Sequence, residues 1–382
     1  MRARAGIRDR RVHRPARQQR GFRRAARRLL RDRRAEVRRR GRHRLRPRAA
    51  ALAARQACRA RAALSAVHRG RLAAQGRALG ASEAGRAGRI RRVDARRQAA
   101  TSAFPRAARR DLAAYYESVA PAMIPHVKNR PLMLQRFPNG IDKEGWVQQE
   151  IGKHFPDWIA RVTVPKSKGH VTHPMANDKP SLLYLANQAC ITVHEWMSRV
   201  DKIDMPDLMI IDLDPGPSSS FSDVKRAARM TRALLDELSL PSFVKTTGSK
   251  GLHLAVPLKR RESFEEVHET ASLIGEVLSA REPELVTTEF RKEKRRGRLF
   301  LDMHRNQYGQ HAVAPYSVRA LPGAPVSCPL DWDELSSSTL TAQTFTLKNV
   351  PRRLEGDGDP WREIKKRAVS LARARKALAE MG

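Results

Sequence analysis

Residues 209–216 read Met209-Ile210-Ile211-Asp212-Leu213-Asp214-Pro215-Gly216, an apolar run that carries two acids and stops at a turn former. In a strand, alternate side chains share a face, so Asp212 and Asp214 project together. Two carboxylates held that close repel one another unless a cation neutralises them. Mg²⁺ or Mn²⁺ prefers hard oxygen ligands, and two such ions can clamp the attacking and leaving oxygens of a phosphoryl transfer. The alternative is a strand-end pair that caps the turn before Pro215 and meets only solvent, because a two-acid pattern is weak by itself.

Working outward, apolar periodicity predicts strands over 208–214, 242–247, 252–257 and 298–303, with helices over 221–238 and 264–280. Upstream it predicts a helix over 111–123, where Leu112, Tyr115, Tyr116 and Val119 recur at helical spacing, and strands over 132–137 and 160–164. A further helix is expected over 181–197, after the Lys179-Pro180 break, and a charged terminal helix over 361–379. Strands and helices mix without a regular βαβ count, which points to an α+β fold.

Two further segments carry chemistry. In Lys245-Thr246-Thr247-Gly248-Ser249-Lys250-Gly251-Leu252-His253 the glycines permit a tight turn whose backbone N–H groups can face a phosphate. Thr247, Lys250 and His253 could converge there on one anionic group, or the segment is a plain hairpin with an exposed lysine. The spacing is not that of a Walker A loop, and no helix follows directly. In Arg298-Leu299-Phe300-Leu301-Asp302-Met303-His304-Arg305-Asn306 alternation sets Leu299 and Leu301 on one face and Phe300, Asp302 and His304 on the other. An acid ending an apolar strand needs a metal or a partner such as a nearby arginine. Residues 291–298 form a basic loop, able to hold phosphates or simply solvated. Arg319, in Ala314-Pro315-Tyr316-Ser317-Val318-Arg319, could reach a triphosphate with both guanidinium nitrogens.

Taken in order, these segments resemble the polymerase domain of bacterial DNA ligase D, of the archaeo-eukaryotic primase superfamily. Supporting stretches are Tyr115-Tyr116-Glu117-Ser118-Val119-Ala120-Pro121, Arg130-Pro131-Leu132 with Arg136, and His194-Glu195-Trp196-Met197-Ser198-Arg199. The likeness runs from about Arg109 to Leu354. It implies a primase-type domain with a mixed or antiparallel catalytic sheet flanked by helices. It also implies template-directed nucleotide addition, with ribonucleotides often preferred, at DNA ends or gaps during non-homologous end joining. Asp212, Asp214 and Asp302 would bind two Mn²⁺ or Mg²⁺ ions, and Lys250, His253, Arg305 and Arg319 would hold the nucleoside triphosphate. Thr247 stands where the family usually has serine, its hydroxyl available to phosphate or sugar. Trp146 falls where relatives carry an aromatic pair that stacks on a base; Val147 breaks that pair, and a core tryptophan is the alternative. Arg109, in place of the usual lysine, and Lys128 fall near the expected site for the 5′-phosphate of a gap. The partners implied are gapped or overhanging duplex DNA, nucleoside triphosphates, Ku, and a ligase or nuclease chain. A monomer in the bacterial cytoplasm, associated with the nucleoid, is expected.

Composition sets bounds on this expectation. Of the formal net charge of +37 over 382 residues, the first hundred contribute +29, from 34 Arg, no Lys and five acids. The other 282 residues hold 42 basic and 34 acidic side chains, a mild +8 that suits a polyanion if it clusters. Residues 1–102, built of Arg, Ala and Gly, are expected to be a disordered leader, since they offer too little apolar surface to offset the entropy of ordering. A basic nucleic-acid-binding arm is the alternative; arginine without lysine points instead to codon composition. The catalytic domain is expected over 103–355, with a charged helix over 356–382.

Cys58, Cys190 and Cys328 lie far apart, with no disulfide framework or four-thiolate zinc site in their spacing. His170 with His173, and Cys190 with His194, have no matching second ligand pair, so no zinc is expected. No run of 18 apolar residues suggests a membrane span, and the Arg-rich N-terminus lacks the apolar stretch of a secretory signal. No lysine in a KxDG-like context supplies a ligase nucleophile. The rival functions are a catalytically silent DNA-end-binding module and a nuclease or phosphatase using the same acids.

Overall fold

A computed structural model describes residues 106–166 and 168–381; the proposed leader therefore lies outside the described residues. The described residues open with helix α1 (Arg106–Val127), which continues through Pro121 and Pro125. Strands β1 (Leu132–Arg136), β2 (Trp146–Gln148), β3 (Arg161–Pro165) and β4 (His170–Pro174) follow, then helix α2 (Lys179–Asn187) and strand β5 (Cys190–Trp196). The acid-bearing strand is β6 (Leu208–Asp214). After it come α3 (Phe221–Glu237), β7 (Phe243–Thr246), β8 (Leu252–Pro257), α4 (Phe264–Arg281), β9 (Val286–Thr287), β10 (Leu299–Asp302), β11 (His311–Val313) and β12 (Pro329–Leu330). Helices α5 (Val350–Asp357) and α6 (Ala372–Met381) close the chain.

The strands form two larger sheets and a hairpin. One sheet has the order β11-β5-β1-β2, the other β12-β7-β8-β6-β10-β9, and β3 pairs with β4 alone. In the six-stranded sheet β9 and β10 run parallel while the other pairings are antiparallel, so the sheet is mixed and the fold is α+β as expected.

Period-two alternation decides which face of the larger sheet does what. Met209, Ile211, Leu213, Leu252, Leu254, Val256, Leu299 and Leu301 enter one apolar core with α3 and α4. Each of these helices begins with a capping box, Ser220 with Asp223 and Ser263 with Glu266, which satisfies otherwise orphaned backbone N–H groups. The alternate positions of the same strands carry Asp212, Asp214, His253 and Asp302, so apolar and chemical functions occupy opposite faces.

Three sequence expectations need correction. The helix expected over 181–197 ends at Asn187, and the rest is β5: Ala189 adopts a left-handed φ of 55°, and the β-branched Ile191, Thr192 and Val193 then suit an extended segment. The helix expected over 361–379 is confined to Ala372–Met381; Ile364–Arg367 is a short 3-10 turn, and Val369 bridges Leu258. Nor does the stretch beyond residue 355 stand apart: Trp361 is 1% exposed, while Leu371, Ala374 and Leu378 join the core of the six-stranded sheet.

Candidate active site

Strand pairing assembles the site. Lys245 opposes His253, His253 opposes Asp212, and Asp212 opposes Asp302, so these four residues form one row across β7, β8, β6 and β10. Directly paired residues share a face and approach closely. Asp214 lies two residues along β6 on that same face, opposite Phe300. The row opens into a cleft of about 210 Å³ whose other wall is His194 from β5 and His311, Ala312 and Val313 from β11. Thr247, Ser249, Lys250, Gly251, Arg305 and Arg319 complete the lining.

The acids are unequal. Asp212 Oδ1 lies 3.3 Å from His253 Nε2, and its Oδ2 lies 3.3 Å from Arg305 Nε. Burial opposes ionisation of Asp212, but His253 and Arg305 outweigh it and hold the carboxyl at about 2. His253 is itself lowered to about 4 by burial and by Lys245, so it is neutral at pH 7 and Arg305 is the cation that matters there. Asp214 shifts upward, through burial and then the negative charge of Asp212, with Arg295 at 3.7 Å only partly compensating. Asp302 also meets Arg305, at 3.3 Å, and accepts the backbone N–H of His304.

One guanidinium thus bridges Asp212 and Asp302, standing where a shared cation would balance both. Arg305 is 39% exposed at its side chain, so it can leave without dismantling buried structure. Among the described residues no three His, Cys, Asp or Glu side chains form a ready-made metal cage. The donor set nevertheless fits a hard divalent cation: carboxylate oxygens on adjacent strands, already gathered around positive charge.

The Gly-rich turn packs against the acid strand. A Cβ on Gly251 would stand 2.0 Å from the Leu213 carbonyl oxygen, and Gly248 adopts a φ of +66°. Side chains are therefore excluded at the first and strained at the second. Lys250 is exposed at the cleft mouth. The Thr247 hydroxyl, expected to be available to a ligand, is engaged within the turn: it donates to the Gly251 carbonyl and accepts from the N–H groups of Ser249 and Gly251.

Other expected site residues lie elsewhere. Trp146 is on edge strand β2, 48% exposed beneath the Arg136 guanidinium, so it is not a core tryptophan; nor does it line the acidic cleft. Arg109 sits near the start of α1 and Lys128 just beyond its end, roughly 28 Å apart at 1.5 Å per residue. They cannot hold one phosphate together. Lys128 instead borders a separate cavity of about 420 Å³ among Arg130, Arg199, Arg260 and Lys365. In the HxxH pattern, His173 Nδ1 faces the Leu132 carbonyl.

His194, a zinc candidate in sequence and set there in a helix, instead stands on β5 at the cleft wall with its Nε2 buried without a hydrogen-bond partner. The β-branched run Ile191-Thr192-Val193 before it was the signal for a strand. Arg295 was seen only as part of a basic loop, yet it stacks 3.7 Å over Phe300 beside Asp214.

A profile for the family described as LigD, primase-polymerase domain, matches residues 108–361. The chain belongs to that family. It is 33% identical over 247 residues to the multifunctional non-homologous end joining protein LigD of Mycolicibacterium smegmatis, covering 64% of this chain and 32% of that protein. The bifunctional LigD of Bacillus subtilis is 31% identical over 252 residues, covering 66% and 40%. This chain thus spans about a third of the length of the curated relatives it matches. The polymerase domain of Mycobacterium tuberculosis ligase D, solved in complex with DNA, superposes with a TM-score of 0.65 at 30% identity, covering 68% of this chain and 93% of that one. Family membership places the chain among nucleotidyltransferases of the polymerase class.

Proposed function

We propose that this chain extends DNA ends or fills gaps during non-homologous end joining, adding nucleotides, with ribonucleotides preferred, from triphosphates under the direction of a template. The observation that carries the proposal is the meeting of Asp212, Asp214 and Asp302 with Lys250, His253, Arg305 and Arg319 in one cleft. When bound, two Mn²⁺ or Mg²⁺ ions held by the three acids would neutralise charge on the transferring phosphoryl group and acidify the attacking hydroxyl.

The side chains divide the remaining work. Arg319 and Lys250 grip the triphosphate from the turn side, Arg319 through its planar fork. Arg305, released from Asp212 and Asp302 as they take up other positive charge, turns its guanidinium to the same phosphates. His253, neutral at pH 7, contributes a hydrogen bond and no net charge. A primer 3′-hydroxyl attacks the α-phosphorus and pyrophosphate leaves, so catalysis rests on positioning and preset electrostatics. DNA ends are the proposed partner, with Ku and separate ligase and nuclease activities completing the repair assembly. Arg109 alone, at the start of α1, remains the proposed contact for a 5′-phosphate, and Trp146 a stacking surface for a base outside the cleft.

Primer extension on a gapped duplex, with Mn²⁺ or Mg²⁺ and either sugar, tests the proposal. Extension should fall by about two orders of magnitude or more in Asp212→Ala and in Asp214→Ala. DNA binding without extension by the intact protein would instead favour the silent end-binding module.

A further inference from the structure

Lys245 completes the row of paired residues that contains His253, Asp212 and Asp302, yet it does not line the cleft. It is 1% exposed, and no carboxylate among the described residues pairs with it. Burial pushes its amino group down to about 7, and in either charge state its N–H donors need partners in a site closed to water, so its contacts are informative. Its Nζ donates to the Val313 carbonyl at 3.0 Å and to Ser327 Oγ at 2.6 Å.

Those acceptors are the two ends of one arm. Val313 ends β11 in the four-stranded sheet, and Ser327 lies just before β12 in the six-stranded sheet. Between them the chain runs out through Tyr316 and Arg319 and returns through Pro325. The arm is laced internally by Tyr316 N–H to the Ser327 carbonyl, Ser327 N–H to the Ser317 carbonyl, and Arg319 N–H to the Pro325 carbonyl. Thr246, next to Lys245, holds the returning limb alone, through Val326 and Cys328. Among these bonds from β7, only those of Lys245 tie both the departing and the returning limb to the six-stranded sheet.

We infer that Lys245 is a positioning residue for triphosphate binding, its side-chain amino group fastening both limbs of the arm so that Arg319 is presented to the cleft that Asp212 lines. This rests on the proposed function, deepening it at the same site. The amino group faces Asp212 and His253 from β6 and β8, Glu195 and His194 from β5, Arg319 from the arm and Cys328 just beyond it. Its opposing neighbours leave the mechanical tie as its main contribution.

The test is a double-mutant cycle in the full chain, read by steady-state primer extension and by anisotropy of a labelled ribonucleoside triphosphate. Lys245→Met keeps the length of the side chain and removes the tie; it should raise KM and the triphosphate Kd about tenfold, with kcat changed by less than about twofold. Arg319→Ala should raise both constants by at least as much. In the double variant, Lys245→Met should add little, because the group it positions is gone. A folded Lys245→Met with unchanged KM and Kd overturns the inference, as does full additivity with Arg319→Ala, the outcome of a general structural role. If Lys245→Met does not fold, Ser327→Ala, which removes one acceptor, takes its place in the same cycle with the same criteria. Triphosphate binding without extension by the wild-type protein would refute the polymerase function while the binding cycle still decides the role of Lys245.

Discussion

Arg305 shows how one side chain can serve two states. With no other cation present it satisfies Asp212 and Asp302 together at 3.3 Å each, on strands whose pairing forces the acids close. Removing it leaves two carboxylates facing one another, a repulsion that favours protonation or cation uptake. The ion pairs are part-exposed, so their contribution is small, on the order of 1 kcal/mol. Arg305→Ala should therefore lower Tm by about 2–4 °C in chelator. Millimolar Mn²⁺ should restore more stability to this variant than to wild type, because the guanidinium no longer competes for the acids. Calorimetry in chelator and in Mn²⁺ checks this; equal shifts in the two proteins would show that Arg305 and the cation do not share a position.

At the level of elements, legibility followed periodicity and the turn signals that bound each run. Strand β6 could be read from sequence because its apolar run is short and is closed by Pro215-Gly216; Met209, Ile211 and Leu213 enter the core while Asp212 and Asp214 stay on the other face. Strand β10 was legible because Leu299 and Leu301 alternate with Phe300 and Asp302. Strand β5 was not, because Cys190–Trp196 is buried almost throughout and follows a helix after only two residues, leaving no alternation to separate strand from helix. With β5 went His194 and the second wall of the cleft. The Gly-rich turn was legible as a turn, whereas the capture of the Thr247 hydroxyl within it depends on backbone geometry that spacing does not encode. Gly251 is the strictest position in that turn, since an added Cβ would lie 2.0 Å from the Leu213 carbonyl between the two acids. Gly251→Ala should destabilise the protein by about 1–3 kcal/mol, as overpacking does. Because the displaced backbone carries Asp212 and Asp214, extension should fall more than the loss of folded protein accounts for. Activity per folded molecule, measured well below Tm, separates the two effects; unchanged specific activity would mean that the turn can shift without moving the acids.

For the molecule as a whole, the last third of the described chain braces both sheets. Trp361 shows why a boundary at residue 355 fails physically. Its indole N–H donates to the Val244 carbonyl on β7, and its ring meets Phe243 and His126 edge-on. Asp359, two residues earlier, accepts hydrogen bonds from the Tyr316 hydroxyl and from Trp361 N–H and lies 3.0 Å from His126, linking α1, the Arg319 arm and the terminal segment. Sequence texture suggested a charged, separable tail there because exposed lysines and arginines surround a few buried apolar anchors. Trp361→Ala should cost about 3–5 kcal/mol for the lost side chain and the space it leaves. Stranding the Val244 carbonyl adds to that cost, roughly 1–3 kcal/mol if water does not reach it. Against a total stability of about 5–15 kcal/mol this is enough to lower Tm by about 10 °C or more. The loss should be global, with the β1–β5 and β6–β8 pairings melting in one transition in hydrogen exchange. If α6 and the 361–369 segment alone lost protection while both sheets kept theirs, the terminal segment would be a detachable appendage after all.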